Sequence, residues 1–297
     1  CTSRKKASTV LKKWWVILGS VLVGLICLQL WLLRGTPGEA LRTKQLRSDI
    51  AYSDVPTLLV PGWGGNGWTY SKLIKYYQKE NIAQKTMTIH VTPTGKVKIQ
   101  GSVANKKNAL IQLIFDWNYT KDYQPQTKWL QQVLTLLHRD HHVDKLNVIA
   151  HSWGGSALVH ALADSSSLQK EIAFPKVILL GTPIDESVDE NMSYAKAQAK
   201  ASADKNYQRL LKKFKEFDPL ASIDFYNLMG SVDGEKTDGS VPNVQSLFLK
   251  NIIHPNWSKY YQAVYTNTDH TDLHQSTKVL DTMDKILWNN RPLAWHH

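Results

Sequence analysis

The sequence contains little cysteine. Only two cysteines, Cys1 and Cys27, occur among its 297 residues, and both precede the main body of the chain. That body therefore has no thiol for a disulfide and must be stable through its hydrophobic core alone. Glycine and proline, with 16 and 11 residues, follow no repeat period, which disfavours solenoid and collagen-like folds. A hydrophobic share of 42% and a charged share of 21% are typical of a globular protein and exclude a disordered chain.

Acidic residues are in deficit. The chain has 36 lysines and arginines against 25 acidic residues, which gives a formal net charge of +11. Part of this excess lies within the first 13 residues, as Arg4, Lys5, Lys6, Lys12 and Lys13. The remainder carries about +6, an ordinary basicity that does not indicate nucleic-acid binding.

Charge is missing altogether from residues 14–33, WWVILGSVLVGLICLQLWLL. At about 1.5 Å rise per residue, a helix of this length spans roughly 30 Å of hydrocarbon and can cross a bilayer. By the positive-inside rule, the basic flank 1–13 stays in the cytoplasm, and Trp14, Trp15 and Trp31 suit the two interfacial belts. The sequence therefore predicts a single-pass cell-membrane protein with an extracytoplasmic body.

A cleaved signal peptide is the alternative to a retained anchor. Gly38 and Ala40 are small enough for a peptidase site, and cleavage there would release a secreted protein. Residues 34–52, which combine glycine, proline and mixed charges, are predicted to form a tether. Residues 53–297 then form the main domain.

Short apolar runs alternate with longer stretches of helical period from Val55 onward. This alternation is typical of an α/β fold with a mostly parallel, doubly wound sheet. The predicted strands are 57–60, 86–91, 110–115, 146–150, 177–180, 225–229 and 262–265. The predicted helices are 68–79, 127–138, 155–164 and 277–288. Gly95 is predicted to turn a hairpin appended to the second strand.

Residues 184–224 interrupt this alternation and are predicted to form an inserted helical cap. They begin with an acidic loop that contains Asp185, Glu186, Asp189 and Glu190. A basic helical segment follows, with Lys196, Lys200, Lys205, Arg209, Lys212, Lys213 and Lys215. The acidic loop is expected to be exposed, with a calcium site as the alternative. The basic segment is expected to form a solvated face, with a contact to anionic lipid or polymer as the alternative.

Ser152 stands between a predicted strand and a predicted helix, in the segment AHSWGG. A serine nucleophile on a sharp strand-to-helix turn has strained backbone geometry, so the residues two positions away on either side must be small. Ala150 and Gly154 meet this requirement. We therefore predict that Ser152 is a catalytic nucleophile, with a structural turn serine as the alternative.

A serine hydroxyl needs a base to take its proton, and the base needs an acid partner. In proteins with this type of elbow, the acid follows a later strand and the histidine follows the last strand. Asp233 and Asp238 lie after the predicted strand 225–229, and each precedes a glycine, as turn-forming residues also do. His270 and His274 follow the last predicted strand, with His270 nearer to its end. Position along the chain does not decide between the two aspartates or between the two histidines.

Four glycines within six residues follow the first predicted strand, in the segment PGWGGNGW. Such a loop lets a substrate approach backbone amides closely, as an oxyanion hole requires, and each donor contributes roughly 3–4 kcal/mol. We assign the donors as the amides of Trp63 and Trp153, and we expect the substrate to contact Gly62, Gly64 and Trp68. A phosphate-binding loop is disfavoured because the motifs for it are missing.

Six segments resemble those of an uncharacterised α/β-hydrolase family found mainly in Gram-positive bacteria, several members of which are exported or cell-surface proteins. The segments are PGWGGNGW, NALIQLIFDWN, AHSWGG, LLGTPID, TDGSVP and HTDLH. The resemblance covers about residues 53–290. The elbow is also similar to that of small bacterial lipases. The resemblance implies an α/β-hydrolase fold and a serine esterase or lipase-like activity.

The resemblance also selects among the candidates. In the family, the acid lies in a Ser/Thr-Asp-Gly-x-Val-Pro motif, which is residues 237–242 here and favours Asp238 over Asp233. The His-x-x-Leu segment of the small lipases matches this chain at His270. The resemblance thus implies the triad Ser152, Asp238 and His270.

Two residues depart from the family pattern. Pro61 stands where many relatives carry histidine, and Trp153 replaces a common methionine, so the acyl pocket is narrowed or reshaped.

From these patterns together we expect a membrane-anchored serine hydrolase that cleaves a lipid or small ester and needs no cofactor or metal. Peptidase, thioesterase and acyltransferase activities use the same machinery. A catalytically inactive surface binding or scaffold protein is the alternative from a different class.

Overall fold

The computed structural model describes residues 2–189, 191–199 and 204–290. Within the predicted cap, Glu190 and Lys200 lie outside the described residues, and so do residues 291–297 of the predicted main domain. The chain divides into two compact units, Cys1–Arg34 and Gly35–His297.

The first unit contains one helix, α1 (Thr2–Leu32). Its segment Lys13–Leu32 has 20 residues, a mean hydropathy of 2.2 and no buried part. By length and composition this helix can cross a membrane, and a signal sequence near an N-terminus has the same properties. The predicted apolar helix is therefore present as a candidate membrane span.

The second unit is built on one sheet. Its strands are β1 (Thr57–Val60), β2 (Gln84–Val91), β3 (Val97–Gly101), β4 (Ala109–Phe115), β5 (Asn147–His151), β6 (Lys176–Leu180), β7 (Ile223–Ser231) and β8 (Ser258–Thr266). They lie in the order β3-β2-β4-β1-β5-β6-β7-β8. Neighbouring strands are parallel except for the β2–β3 pair, which is antiparallel. The predicted α/β-hydrolase fold with a mostly parallel sheet is confirmed.

Helices cover both faces of the sheet. They are α2 (Ser71–Lys79), α3 (Gln124–His141), α4 (Trp153–Asp164), α5 (Ser166–Glu171), α6 (Tyr194–Ala199), α7 (Lys205–Phe214), α8 (Asn243–Leu247), α9 (Leu249–Ile252) and α10 (Thr277–Trp288). Leu58 packs in one hydrophobic cluster with α3 and α4, whereas its neighbour Leu59 packs in the other with α2 and α10. Successive side chains of a strand point to opposite faces, so both faces of the sheet are buried.

The predicted hairpin lies at Gly95. The Gly95 amide donates to the carbonyl of Thr92 at 2.8 Å, and the Thr92 amide donates to the carbonyl of Lys96 at 3.0 Å. Gly95 has φ +85°, a left-handed conformation that glycine adopts without strain. The strand β3 then returns antiparallel to β2.

The segment that the sequence predicts as a tether packs against the second unit from Gly35 onward. Its hydrogen bonds include Thr36 N to Gln112 Oε1 at 2.8 Å, Glu39 N to Gln78 Oε1 at 2.9 Å and Arg42 N to Asn81 Oδ1 at 2.8 Å. Gly38 lies so close to the carbonyl of Lys85 that a Cβ atom would overlap it. Gly38 thus serves close packing here rather than flexibility, and the tether between membrane and domain over 34–52 stays a prediction.

The predicted cap region contains α6 and α7, between β6 and β7. Buried Tyr207, Leu210 and Phe214 hold α7 in place. Arg209 on α7 forms an ion pair of 2.5 Å with Asp164 at the end of α4. The exposed lysines of this segment include Lys205, Lys212, Lys213 and Lys215, as expected for a solvated face.

Candidate active site

Ser152 occupies the turn between β5 and α4. Its backbone angles are φ 54° and ψ −133°, which is strained geometry for a residue with a Cβ atom. Its amide donates to the carbonyl of Leu180 at 2.9 Å, and its carbonyl accepts from the amide of Gly155 at 2.9 Å. The turn has the strained geometry of a nucleophile elbow, and Ser152 is partly exposed.

Small neighbours make this turn possible. A Cβ atom on Gly154 would lie 2.5 Å from the carbonyl oxygen of Pro61, and one on Gly155 would overlap the side chain of Thr182. Ala150 is fully buried and pairs with Val60 across the sheet. Larger side chains at these positions would push the start of α4 away from the sheet.

Asp238 and His270 are joined by two hydrogen bonds. Asp238 Oδ2 and His270 Nδ1 are 2.6 Å apart, and the amide of His270 donates to the carbonyl of Asp238 at 2.9 Å. Asp238 Oδ1 accepts from the amides of Ser240 and Val241 at 2.9 and 2.7 Å. A carboxylate only accepts, so Nδ1 carries the proton and Nε2 is left as an acceptor.

The end of β6 contacts both the Asp238–His270 pair and the turn at Ser152. Leu180, which accepts the amide of Ser152, is followed by Gly181 at the end of β6. A Cβ atom on Gly181 would lie 2.5 Å from Asp238 Oδ2 and 3.1 Å from His270 Nδ1. The Ser152 hydroxyl makes no hydrogen bond with His270 or with any other described residue. The structure thus brings the three residues to one edge of the sheet without a direct Ser152–His270 bond.

Two further histidines lie near His270, and one of them is in ring contact with it. His151 Nε2 donates to the carbonyl of His270 at 2.9 Å, and the two rings are 4.3 Å apart. The ring of His274 lies 4.6 Å from that of His151. Burial lowers the pKa of His151 well below its ordinary value and lowers the pKa of His274 to about 4. Both rings are therefore neutral at pH 7, and His151 contacts His270 without adding charge.

Asp233, the other acid that sequence position leaves open, lies in an exposed turn. It has φ 51° and is followed by Gly234 with φ +79°. Within the described part of the chain, it makes no hydrogen bond with His270 or His274. Of the two aspartates, the structure brings Asp238 to the histidine.

The glycine-rich loop after β1 runs against the nucleophile. A Cβ atom on Gly62 would lie 2.7 Å from Cβ of Ser152. Trp63 and Trp153 directly follow these two residues. Among the residues that the structure describes, neither the Trp63 amide nor the Trp153 amide donates a hydrogen bond. Both donors are therefore open to an acceptor that enters the site.

A buried amide that the sequence analysis did not single out holds this loop. Asn118 Nδ2 donates to the carbonyls of Gly62 and Gly65 at 2.5 and 3.4 Å, and the Asn118 carbonyl accepts from the amide of Gly64 at 2.7 Å. Gln126 Nε2 donates to Asn118 Oδ1. The one signal in the sequence is that Asn118 follows the end of β4, at the edge of the sheet where β1 and β5 also end.

Comparison with known proteins identifies the family of the chain. Residues 44–290 match the profile of a family described as alpha/beta hydrolase of unknown function (DUF915). The chain belongs to this family. The resemblance to a Gram-positive α/β-hydrolase family is thereby confirmed. A comparison with curated proteins finds no match.

Two solved structures share the fold of this hydrolase. A gene product of Listeria innocua is 21% identical, with a TM-score of 0.69 over 82% of this chain and 96% of that chain. A candidate cell surface hydrolase of Lactobacillus plantarum is also 21% identical, with a TM-score of 0.64 over 78% of this chain and 91% of that chain. At this identity the likeness shows the fold alone.

An exposed aromatic cluster borders the glycine-rich loop of the hydrolase. It consists of Trp63, Trp117 and Tyr119, each about half exposed. The ring of Tyr119 lies 5.4 Å from that of Trp63 and 5.1 Å from that of Trp117, both edge to face. A Cβ atom on Gly64 would contact Tyr119 at 3.5 Å. Exposed aromatic rings beside a nucleophile offer an apolar surface to a substrate.

Trp68 lies apart from this aromatic cluster. It lines a surface groove along α2 with Ser71, Lys72, Lys75, Tyr76, Lys79 and Gln275. The described contacts place Gly62 beside the nucleophile, Gly64 beside Tyr119 and Trp68 beside α2. Of the three residues expected to contact substrate, only Gly62 therefore has a described contact with Ser152.

The side chain of Trp153 links the elbow to the cap. Its Nε1 donates to Glu186 Oε1 at 2.7 Å, and its ring lies 6.2 Å from that of Tyr123. Burial raises the pKa of Glu186, although its hydrogen bond with Trp153 partly opposes this rise. Within the described residues, no group of three or more histidine, cysteine or acidic side chains is arranged to hold a metal.

Proposed function

We propose that the hydrolase is a serine hydrolase that cleaves carboxylic esters. The 2.6 Å contact between Asp238 Oδ2 and His270 Nδ1 carries the proposal, because it sets the tautomer in which Nε2 can act as a base. The strained backbone of Ser152 supports its role as nucleophile. The unpaired amides of Trp63 and Trp153 support their role as oxyanion donors.

The reaction follows from these roles. Ser152 Oγ attacks the acyl carbon while His270 Nε2 takes its proton, and Asp238 stabilises the imidazolium that forms. The amides of Trp63 and Trp153 donate to the oxyanion. His270 then passes the proton to the leaving alcohol, which leaves an acyl-enzyme. Water attacks the acyl carbon with His270 as base, and the acid product and free Ser152 result.

The surroundings of the site support an ester with an apolar acyl group. The aromatic cluster of Trp63, Trp117 and Tyr119 exposes ring surface beside the loop that contacts Ser152. Burying such surface against an acyl chain removes apolar area from water on both sides. Lipids and small carboxylic esters fit this surface.

The same proposal includes a retained membrane anchor and an extracytoplasmic domain. The basic residues before α1 and the apolar segment Lys13–Leu32 support it. The name of the Lactobacillus plantarum relative, a candidate cell surface hydrolase, agrees with this placement. Protease treatment of intact cells should release the domain, and protection from the protease contradicts the outward orientation.

A fluorophosphonate probe tests the nucleophile directly. The full chain in detergent should be labelled, and Ser152→Ala should abolish both labelling and hydrolysis of p-nitrophenyl esters. Ser166→Ala is the matched control, because Ser166 is exposed at the start of α5, and it should be labelled like the wild type. Labelling that is absent from the wild type contradicts the proposal and favours a binding protein. Labelling that persists in Ser152→Ala contradicts the assignment of Ser152 as the nucleophile.

A further inference from the structure

The chain is attached to α2 soon after it leaves α1. The side chain of Gln78 on α2 donates to the carbonyl of Pro37 at 3.3 Å and accepts from the amide of Glu39 at 2.9 Å. Arg42 Nη2 donates to the carbonyl of Lys79 at 2.8 Å. These contacts fix the segment along the C-terminal half of α2.

A second attachment reaches the loop that contains Trp68. The amide of Thr36 donates to Gln112 Oε1 at 2.8 Å, and Gln112 Nε2 donates to the carbonyl of Gly67 at 2.9 Å. Both Thr36 and Gln112 are buried, with 4% and 1% exposure. One buried side chain therefore joins the start of the second unit to the residue before Trp68.

Covalent geometry limits how far this region can lie from a membrane that holds α1. The helix ends at Leu32, and Thr36 is the first residue after it with a buried hydrogen bond to the domain. At about 3.3–3.6 Å per residue, the chain between them spans at most roughly 14 Å. The domain surface beside Thr36 is thus held near the bilayer whenever α1 is retained.

The outer surface of α2 combines lysines with a tryptophan. Lys72, Lys75 and Lys79 are exposed and recur at the spacing of one helix face. Within the described residues, none of the three forms an ion pair. Trp68, 52% exposed, lines the same groove. We call these four residues the lysine–tryptophan face.

We propose that the lysine–tryptophan face docks on the headgroups of anionic lipids in the membrane that holds α1. Lysines near a bilayer surface are attracted to anionic headgroups, and tryptophan favours the interfacial region. The inference rests on the proposed retention of α1. Trp68 ends the glycine-rich loop whose Gly62 contacts Ser152, so docking holds the candidate site close to the lipid surface.

A dye on α2 can report this docking in the full chain. We would replace Cys1 and Cys27 by serine and alanine, introduce Ser71→Cys, and attach an environment-sensitive fluorophore. The labelled chain is reconstituted in vesicles of phosphatidylcholine alone or with phosphatidylglycerol. We expect a blue shift of the emission in the anionic vesicles, and a loss of this shift at high salt, which screens exposed charges.

Two triple variants with the same change of charge separate docking from a general effect of basicity. Lys72→Gln/Lys75→Gln/Lys79→Gln should abolish the shift. Lys212→Gln/Lys213→Gln/Lys215→Gln removes three exposed lysines at the end of α7 and should keep it. Trp68→Ala should reduce the shift in anionic vesicles.

Equal spectra in both vesicle types, or an equal loss in both triple variants, overturn the docking surface. A chain that does not float with the vesicles overturns the retention of α1 together with the docking. Fluorophosphonate labelling of Ser152 in detergent is read separately from both results. Failure of the serine hydrolase proposal is therefore distinguishable from failure of this one.

Discussion

The Asp238 carboxylate and the His270 imidazole are held to each other through both side chain and backbone. Their side chains meet at 2.6 Å, and the amide of His270 donates to the carbonyl of Asp238 at 2.9 Å. The carboxylate is buried, with 1% exposure, whereas the imidazole is 18% exposed. An acid that is shielded from water and a base that reaches solvent suit a proton transfer to substrate.

The proposed acid can be tested against its neighbour in the sequence. Asp238→Asn should lower kcat by about 10⁴-fold, because an amide that donates to Nδ1 favours the wrong tautomer of His270. Asp233→Asn is the control and should keep kcat, since Asp233 lies in an exposed turn. Steady-state hydrolysis of a p-nitrophenyl ester measures both. A large loss for Asp233→Asn with none for Asp238→Asn would assign the acid to Asp233.

Gly181 tests whether the site needs the close approach of the β6 end. Gly181 and Gly234 both have positive φ, so alanine costs each about 1 kcal/mol of backbone strain. Only at Gly181 would the new Cβ lie 2.5 Å from Asp238 Oδ2, because nothing lies within 4 Å at Gly234. Gly181→Ala should lower kcat at least tenfold more than Gly234→Ala does, a factor that corresponds to roughly 1.4 kcal/mol.

Thermal unfolding of the two glycine variants is the companion measurement. Similar unfolding temperatures with different kcat values support a local effect on Asp238 and His270. Equal kcat values in both variants contradict the prediction, because they show that a methyl group at residue 181 does not disturb Asp238 and His270.

Asn118 should act on catalysis through the glycine-rich loop. Asn118→Ala removes the donors to the carbonyls of Gly62 and Gly65, and an unpaired buried group costs about 1–3 kcal/mol of stability. Because the Trp63 amide lies in this loop, kcat should also fall, with KM less affected. Asn256→Ala, at an exposed position, is the control for kcat and for denaturant unfolding. A loss of stability with unchanged kcat would limit Asn118 to a structural role.

Buried histidines predict a loss of stability in acid. The pKa of His274 is lowered to about 4 and that of His160 to about 3, in both cases chiefly by burial. Unfolded histidines take up protons near pH 6.5, so below this pH the unfolded chain binds protons that the folded chain does not. The free energy of unfolding should therefore fall by about 1.4 kcal/mol per pH unit and per histidine between pH 6.5 and the folded pKa.

Denaturant unfolding between pH 5 and pH 8 measures this slope. His160→Gln/His274→Gln should flatten it, whereas His142→Asn, at an exposed position, should not. Asp284, whose pKa burial raises to about 7, contributes a slope of opposite sign that all variants share. An unchanged slope in the double variant contradicts the assignment to these two histidines.

Local patterns predicted the elements of the sheet well. β1 begins and ends at the predicted residues, because its apolar run is bounded by Pro56 and Pro61. By contrast, β7 and β8 are longer than predicted, since they pair with each other from Ile223 and Ser258 to Ser231 and Thr266. Hydrogen bonding to a neighbouring strand can extend a strand beyond its apolar run into polar residues. An apolar run alone therefore predicts such a strand too short.

Some contacts of the folded domain had at most a weak local signal in the sequence. The importance of Asn118 comes from hydrogen bonds to a loop more than 50 residues earlier in the chain, where Asn118 Nδ2 meets Gly62 at a sequence separation of 56. The segment from Thr36 has the composition of a linker, yet Gln112 and Gln78 bind it to the domain. Composition gives only the types of residue in a segment. Hydrogen bonds between distant segments depend on which residues the fold brings next to each other.

The sequence by itself determined the apolar N-terminal helix, the alternation of strands and helices, and the small residues around Ser152, because each depends on neighbours along the chain. Position along the chain left Asp233 open beside Asp238, and the family motif favoured Asp238. Only the tertiary structure showed the contact of Asp238 with His270 and the hydrogen bonds by which Asn118 holds the loop beside the nucleophile. These contacts join residues far apart in sequence, and their distances exist only once parallel strands have brought their carboxyl ends to one edge of the sheet.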